Sequence, residues 1–266
     1  MVFIVDVRTG LLGIAGAPMK KLALVVPAHN EENRIGAMLD AYLAFFSAKE
    51  DLHTTFIVVL NGCSDNTLSV VKAREHKGAV HIVDTPQAGK GLAIKQGFQT
   101  ALSLDADLIG FVDADMATQP HHFYELLDHR GEYDGIIASR YMKESQTYPA
   151  RPPIKEWGRR LVYQPLVWSL FGLRNYDYQC GAKLFKRSDI EKITPHLTVT
   201  QWAFDVELLF LCKQFGCSIK EWPTVWHDQA DSKLKLRSGF RMLGSLFAVR
   251  WRHSWLGKKL SSQIKE

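Results

Sequence analysis

From Lys20 onward, short β-branched runs alternate with longer amphipathic segments, and this switching between period two and period 3.6 constrains the fold more than any other feature of the chain. Strands are expected at 22–26, 56–60, 80–84, 108–112 and 135–139, and helices at 31–46, 66–76, 91–104 and 120–129. Each helix opens on a polar or capping residue. Successive βαβ units of this kind build an open, mainly parallel α/β sheet flanked by helices, with ligands gathered at the carboxyl ends of the strands. After Arg140 the regularity breaks. A segment rich in proline and basic residues, 146–160, leads into an aromatic helical stretch ending near Leu173 and kinked at Pro165, then a strand at 181–186, a helix at 204–215 and a strand at 219–226. No linker or repeat divides the body, so 19–231 is taken as one domain. Residues 1–18 form an N-terminal extension with Met19 as an alternative start, and 232–266 a C-terminal appendage.

Charge is unevenly spread. The last 35 residues hold nine of the 33 Lys+Arg and one of the 28 Asp+Glu, so they carry +8 of a total of +5 and leave the body at −3. Such asymmetry marks contact with anions. With 46% hydrophobic and 23% charged residues, the chain is not a disordered polyelectrolyte. Cys63, Cys180, Cys212 and Cys217 form no C-x-x-C pair, which argues against a zinc site or a disulfide framework. No apolar run reaches the roughly 18 residues needed to cross a bilayer, so a soluble or peripheral protein is expected.

Two D-A-D tripeptides occur, at 105–107 and 113–115; with 16 aspartates in 266 positions, about one D-x-D arises by chance. Position separates them. The first precedes the apolar strand 108–112 and reads as a solvated turn, whereas Asp113 and Asp115 follow it at the ligand-binding edge. Two carboxylates there suit Mg²⁺ or Mn²⁺ bridging a diphosphate, and equally suit a cap for the helix at Pro120. The other strand ends carry Pro27-Ala28-His29-Asn30-Glu31-Glu32, Asn61-Gly62-Cys63-Ser64-Asp65-Asn66-Thr67 and Gln87-Ala88-Gly89-Lys90-Gly91. Glycines at 89 and 91 let backbone approach a phosphate, and Lys90 with the following helix N-terminus supplies positive potential. Neither a Walker A loop nor G-x-G-x-x-G is present.

This ordered set, with Ser139-Arg140, resembles the inverting family 2 glycosyltransferases of the GT-A, Rossmann-like fold. The stretches Gln179 to Phe185 and Trp202 to Leu209, with Ser232-Lys233-Leu234, resemble the branch acting on polyprenyl phosphates, the dolichyl-phosphate β-glucosyltransferases and related mannosyltransferases. The resemblance covers roughly Met19 to Trp255 and implies transfer of a hexose, glucose before mannose, from a nucleotide diphosphate sugar to polyprenyl phosphate at the cytoplasmic face of a membrane. It puts Pro27, Ala28, Asn30, Glu31 and Asn61 at the nucleoside. Lys90, Ser232 and Lys233 fall at the donor phosphates, and Asp113 and Asp115 at the metal and sugar diphosphate. Arg140, Arg151, Lys155 and Arg159 fall at the acceptor phosphate, and Asp205 near the place of a catalytic base. His227 and Asp228 are candidates for a third metal ligand. Leu60 and Asn61 stand where the family usually carries paired acids, and Asp231 where it carries glycine, leaving uridine and guanosine both open.

A phosphate acceptor with a second pKa of about 6 is already largely dianionic and needs no general base, so Asp205 is expected to contact a donor hydroxyl or form an internal salt bridge. Transfer to a lipid or glycan hydroxyl would instead require Asp205 as base. A non-catalytic membrane-binding protein on the same fold is the reading from another class. Nucleic acid is not an expected partner, because the body is acidic and contains no recognised module. In the tail, Leu236, Phe240, Leu243, Phe247, Trp251 and Trp255 recur at helical spacing, flanked by Arg237, Arg241, Arg252, Lys258 and Lys259. That pattern suits an interfacial helix on an anionic membrane, with the segment 157–173 as a second lipid contact. Nothing in the sequence speaks to oligomeric state.

Overall fold

The computed structural model describes residues 4–5, 12–13, 19–75, 79–150, 153–199, 201, 203–228 and 243–254. A short antiparallel pair, Ile4–Val5 with Leu12–Gly13, lies in the N-terminal extension. The body is a seven-stranded sheet built from β1 (Lys20–Ala28), β2 (Leu52–Asn61), β3 (Val80–Thr85), β4 (Leu108–Val112) and β5 (Gly135–Ser139), joined by two later strands. After the three-residue β6 (Gln146–Tyr148) come β7 (Ala182–Lys186), β8 (Ile219–Pro223) and β9 (Val225–His227). The order across the sheet is β3-β2-β1-β4-β7-β5-β8, parallel throughout except for β7, which runs antiparallel to both β4 and β5. β6 and β9 form a separate parallel pair.

Central strands buried on both faces read as continuous apolar runs, because alternate side chains feed two separate cores. Leu22, Leu24 and Val26 join Phe56, Val58 and Leu60 beneath α1 (Ile35–Ser47) and α4 (Pro120–His129). Ala23 and Val25 face the other way with Ile57, Val59 and Phe111, under α3 (Lys90–Ser103) and α7 (Phe204–Gln214). Gly97 lets α3 lie directly on the sheet, since a β-carbon there would come within 2.2 Å of Val25 Cγ1. The remaining helices are α2 (Thr67–Glu75), the rod α5 (153–171), α6 (Arg187–Ile193) and α8 (243–254). Among the described residues no helix is long and apolar enough to cross a membrane.

Several local expectations are revised. The first helix starts at Ile35 rather than at Glu31, because Asn30 is left-handed (φ 56°) and the Glu31 N–H is taken by Thr67 Oγ1 at 2.8 Å. The single strand expected at 219–226 is two. Its backbone turns at Thr224, whose N–H bonds the Ser139 carbonyl, and β9 then leaves the main sheet for β6. In α5 the irregularity is a π-turn, Arg159–Tyr163, ahead of Pro165. The widened turn accommodates the proline ring and its missing N–H. In α8 the buried stripe is Leu246, Val249 and His253, while Phe247 and Trp251 point outward at 54% and 83% exposure. Leu243 of the expected tail stripe is partly buried against the same core, and Leu236, Phe240 and Trp255 lie outside the described residues.

The first D-A-D sits at the amino-terminal end of β4, where Asp107 Oδ2 accepts the Lys21 N–H and Asp105 pairs with the Lys21 ammonium. At the same end Asp134 clamps three strands. Its carboxylate accepts Lys186 Nζ at 2.8 Å, Ser218 N at 2.8 Å and Ser218 Oγ at 2.7 Å, joining the start of β5 to the end of β7 and the approach to β8. Hydrogen bonds from Lys186 and Ser218 hold its pKa well below the ordinary carboxylate range. Because the folded-state pKa is depressed, this stabilisation is complete above the unfolded pKa near 4 and disappears as pH falls toward the folded value. Asp134→Ala should cost about 1–2 kcal/mol at pH 7 and progressively less as pH falls below about 4, measured by urea unfolding across that range.

Candidate active site

Three loops at the carboxyl edge of the sheet are tied together by a single buried amide. Asn61, at the end of β2, donates from Nδ2 to the Ala28 carbonyl at 2.7 Å and accepts the Gly89 N–H on Oδ1 at 3.0 Å. It is 3% exposed. Its side chain therefore sets the loops after β1 and β3 rather than facing solvent. His29 Nδ1 lies 2.6 Å from the Asn61 carbonyl, and Asn30 Oδ1 accepts the Ser64 N–H at 2.8 Å. Glu31 is bidentate with Arg34, both contacts at 2.7 Å. Pro27 is partly buried and Ala28 fully buried within β1. Beside these loops, Gly62, Cys63, Asp84, Thr85 and Pro86 line an open cleft of about 450 Å³.

Lys90, the first residue of α3, places Nζ 2.6 Å from Asp113 Oδ1, with both side chains about a quarter exposed. Burial alone would lower the lysine pKa, but Asp113, Asp205 and Asp115 outweigh it and hold the ammonium charged. Asp113 also rests on Gly181: its N–H donates to the Gly181 carbonyl at 3.0 Å, and a β-carbon on that glycine would come within 1.8 Å of Asp113 Oδ2. Asp115 accepts the Ala117 N–H at 3.0 Å in a turn where Met116 is left-handed (φ 62°). Burial, then Asp113, pushes the Asp115 carboxyl up to about 6 against the pull of that N–H, Arg34 and Lys90. Tyr42 holds the far side of this turn, donating to the Thr118 carbonyl at 2.8 Å. His227 donates its backbone N–H to the Ala117 carbonyl, placing β9 beside the same turn, though no group of three metal-ligating side chains forms among the described residues.

At the end of β5, Arg140 is fixed. Its Nε and Nη2 donate to Asp177 Oδ2 and Oδ1 at 2.6 and 2.9 Å, and its guanidinium lies 4.8 Å from the Trp226 ring centroid. Burial would raise the Asp177 pKa, but the charge and hydrogen bonds of Arg140 hold it below its ordinary value. A crevice beside this pair is lined by Tyr141, Arg159, Tyr163, Tyr176 and Tyr178. Arg159 stacks on Tyr141 at 3.6 Å and is held by Glu156 and the Tyr176 carbonyl. Asp205, at the start of α7, is buried against Lys183 Nζ at 2.6 Å, and that ammonium also donates to the Cys180 carbonyl.

Thus Asn30, Glu31, Asn61, Lys90, Asp113, Asp115 and Arg140 stand at strand ends, on loops or at a helix start along one edge, and Arg159 joins Arg140 from within the α5 rod. Arg151, Ser232 and Lys233 lie outside the described residues, as does the side chain of Lys155. The Asp177 clamp, the Gly181 seat and the tyrosine-lined crevice were not picked out from the sequence. Asp177 has no pattern that links it to an arginine 37 residues away. Gly181, flanked by Cys180 and Ala182 and so free of bulky neighbours at a strand start, was the one available signal.

A mainly parallel sheet with a nucleoside-sized cleft, a lysine-headed helix and paired carboxylates along one edge defines a nucleotide-sugar transferase of the GT-A fold. The chain belongs to that fold's glycosyltransferase family 2: the Glycosyl transferase family 2 model matches residues 23–194. It is 34% identical over 237 residues to the dolichyl-phosphate beta-glucosyltransferase of Drosophila melanogaster, covering 82% of this chain and 70% of that one. The Saccharomyces cerevisiae dolichyl-phosphate beta-glucosyltransferase is 31% identical over 253 residues, covering 86% and 74%. Glucosyl-3-phosphoglycerate synthase of Mycobacterium tuberculosis, solved with Mn²⁺, uridine diphosphate and glucosyl-3-phosphoglycerate, shares the fold with a TM-score of 0.64 at 19% identity, covering 86% and 78%. The protein is a glycosyltransferase.

Gly181→Ala should displace the Asp113 carboxylate without touching either core. Turnover is expected to fall by about 100-fold or more while thermal unfolding shifts by only a few degrees. Steady-state kinetics beside a melting curve check both.

Proposed function

We propose that this protein transfers glucose, with inversion, from a nucleotide diphosphate sugar to a polyprenyl phosphate of the dolichyl type at the cytoplasmic face of a membrane. The observation that carries the choice of acceptor is the burial of Asp205 against Lys183. A carboxylate committed to an ammonium at 2.6 Å is a poor general base, and a dianionic phosphate oxygen requires none. That oxygen attacks the anomeric carbon as its bond to the nucleoside diphosphate breaks, so charge moves from acceptor to leaving group. The work of the protein is to hold two phosphates close against their repulsion.

Lys90 and the N-terminus of α3 meet the leaving diphosphate, while Arg140 and Arg159 meet the acceptor. Asp113 and Asp115 fit a divalent cation. They are two hard oxygen donors one residue apart, one of them burdened by burial enough to raise its pKa to about 6. Mg²⁺ or Mn²⁺ held there supplies positive charge to the departing diphosphate. The nucleoside belongs to the open cleft at Gly62 and Thr85, reached from Asn30 and Glu31.

An anionic membrane surface is the second partner. The rod that lends Arg159 and Tyr163 to the crevice also turns Trp157, Leu161 and Trp168 outward at 66%, 65% and 52% exposure. An apolar surface beside a crevice that carries Arg140 and Arg159 suits a lipid that arrives head first from a bilayer.

Two experiments test this. In a panel of UDP- and GDP-sugars with Mg²⁺ or Mn²⁺ and a short polyprenyl phosphate, wild type should form product from a glucose donor. Asp115→Asn should lose about 100-fold or more, and Asp205→Asn should keep substantial turnover; loss of all activity in Asp205→Asn would favour a hydroxyl acceptor instead. With long-chain acceptor in anionic vesicles, Trp157→Ser combined with Leu161→Ser should raise acceptor KM about tenfold, and leave the soluble short-chain reaction within twofold.

A further inference from the structure

The helix that ends the described chain does more than cover a hydrophobic face. α8 seats Leu246 and Val249 in the core and carries His253, 2% exposed, inward. His253 Nε2 lies 2.7 Å from Glu207 Oε1. Glu207, on α7, is fully buried and accepts three further hydrogen bonds, from Thr198 N at 3.0 Å, Thr198 Oγ1 at 2.6 Å and Val199 N at 2.8 Å. A buried carboxylate is thus shared between the C-terminal helix and the loop that precedes α7.

That loop is pressed on the donor site. The Val199 carbonyl packs so closely on Gly91 that a β-carbon there would come within 2.4 Å of it. Gln201 Nε2 reaches the Ala88 carbonyl at 3.3 Å, and Lys95 Nζ reaches the Leu197 carbonyl at 2.6 Å. These three contacts fall on both sides of Lys90, whose ammonium meets Asp113. The path from α8 to the phosphate-binding lysine is therefore continuous: His253 to Glu207, Glu207 to Thr198 and Val199, Val199 to Gly91, and Gly91 to its neighbour Lys90.

We propose that Glu207 and His253 are positioning residues for the donor. The seating of α8 through their buried contact holds the 197–199 loop against Gly91 and so fixes Lys90 where it meets the sugar diphosphate. The inference rests on the reading of this edge as a nucleotide diphosphate site. Neither residue touches the reacting atoms. Glu207 has no exposed surface to offer a ligand, and its hydrogen bonds are spent on the loop and on α8. Because α8 also turns Phe247 and Trp251 outward, whatever engages that face engages the element that sets the donor site.

The test is direct titration of the full-length protein with UDP and GDP in the presence of Mg²⁺, together with donor and acceptor kinetics. His253→Leu fills the space without the N–H. It should weaken nucleotide diphosphate binding and raise donor KM by about tenfold, with acceptor KM within twofold. His253→Gln, which can place an amide N–H near the Nε2 position, should return donor affinity to within about threefold of wild type. Should His253→Leu fail to fold, Thr198→Val carries the question, since it removes one Glu207 contact at nearly constant volume and should raise donor KM by a few fold. Variants that melt earlier but bind the nucleotide as wild type does would reduce the pair to a structural role and overturn the inference. Wild type that binds neither nucleotide would overturn the site reading itself, and this inference with it.

Discussion

Three carboxylates and two ammonium groups share the carboxyl edge of the central strands, and most of the active-site architecture follows from keeping that charge balanced. Asp113 takes Lys90 and Asp205 takes Lys183, each at 2.6 Å. An unpaired charge in such surroundings costs several kcal/mol, so each lysine must be delivered by an element with its own reason to be there. Lys90 comes on the first turn of α3, the helix that Gly97 allows to lie flat on β1. Lys183 comes from β7, and only because that strand runs backwards. A parallel strand offers this edge its C-terminus, whereas the antiparallel β7 brings its start, with Gly181 as a seat for Asp113 and Lys183 two residues on. Asp115 is the carboxylate without an ammonium partner at hydrogen-bond distance in this set, and burial, then the charge of Asp113, raises its pKa to about 6. Two protein cations for three acids leave a deficit that a divalent ion on the diphosphate is suited to fill.

How much of this is legible before folding depends on how local each feature is. Strands β1, β2, β4 and β5 are readable because burial on both faces leaves a short continuous run of apolar and small residues. The D-A-D at Asp113 is separable from its twin at Asp105 because the apolar strand between them has a direction. The reversal of β7 is not readable: Ala182 to Lys186 is an apolar run around a lysine, with the same composition whichever way it points. Nor is the fate of Asn61, whose amide is consumed by Ala28 and Gly89, since a polar residue at a strand end looks alike as a ligand contact and as a brace. Arg140 is legible as a phosphate-binding arginine, yet its capture by Asp177 belongs to the tertiary fold. The salt bridge holds the guanidinium in one orientation and limits how far it can follow a substrate, a geometry suited to a site that must place two phosphates in line.

The tail shows how an apolar pattern can leave out the side of a helix that anchors it. Phe247 and Trp251 lie on one side of α8, as their spacing of four requires, and that side points away from the body. The helix is anchored by Leu246, Val249 and a histidine, and histidine does not register in an apolar count. An outward aromatic pair on α8 and an outward aromatic set on α5 would be wasteful if water were their only neighbour. They gain a common purpose if both meet lipid, since α5 carries Arg159 of the tyrosine-lined crevice and α8 the histidine bonded to Glu207, which holds the 197–199 loop. Arg250 and Arg252, exposed on the same helix as Trp251, would suit an anionic bilayer on that reading, while Asp113 and Asp115 at the strand edge would keep their carboxylates for a cation.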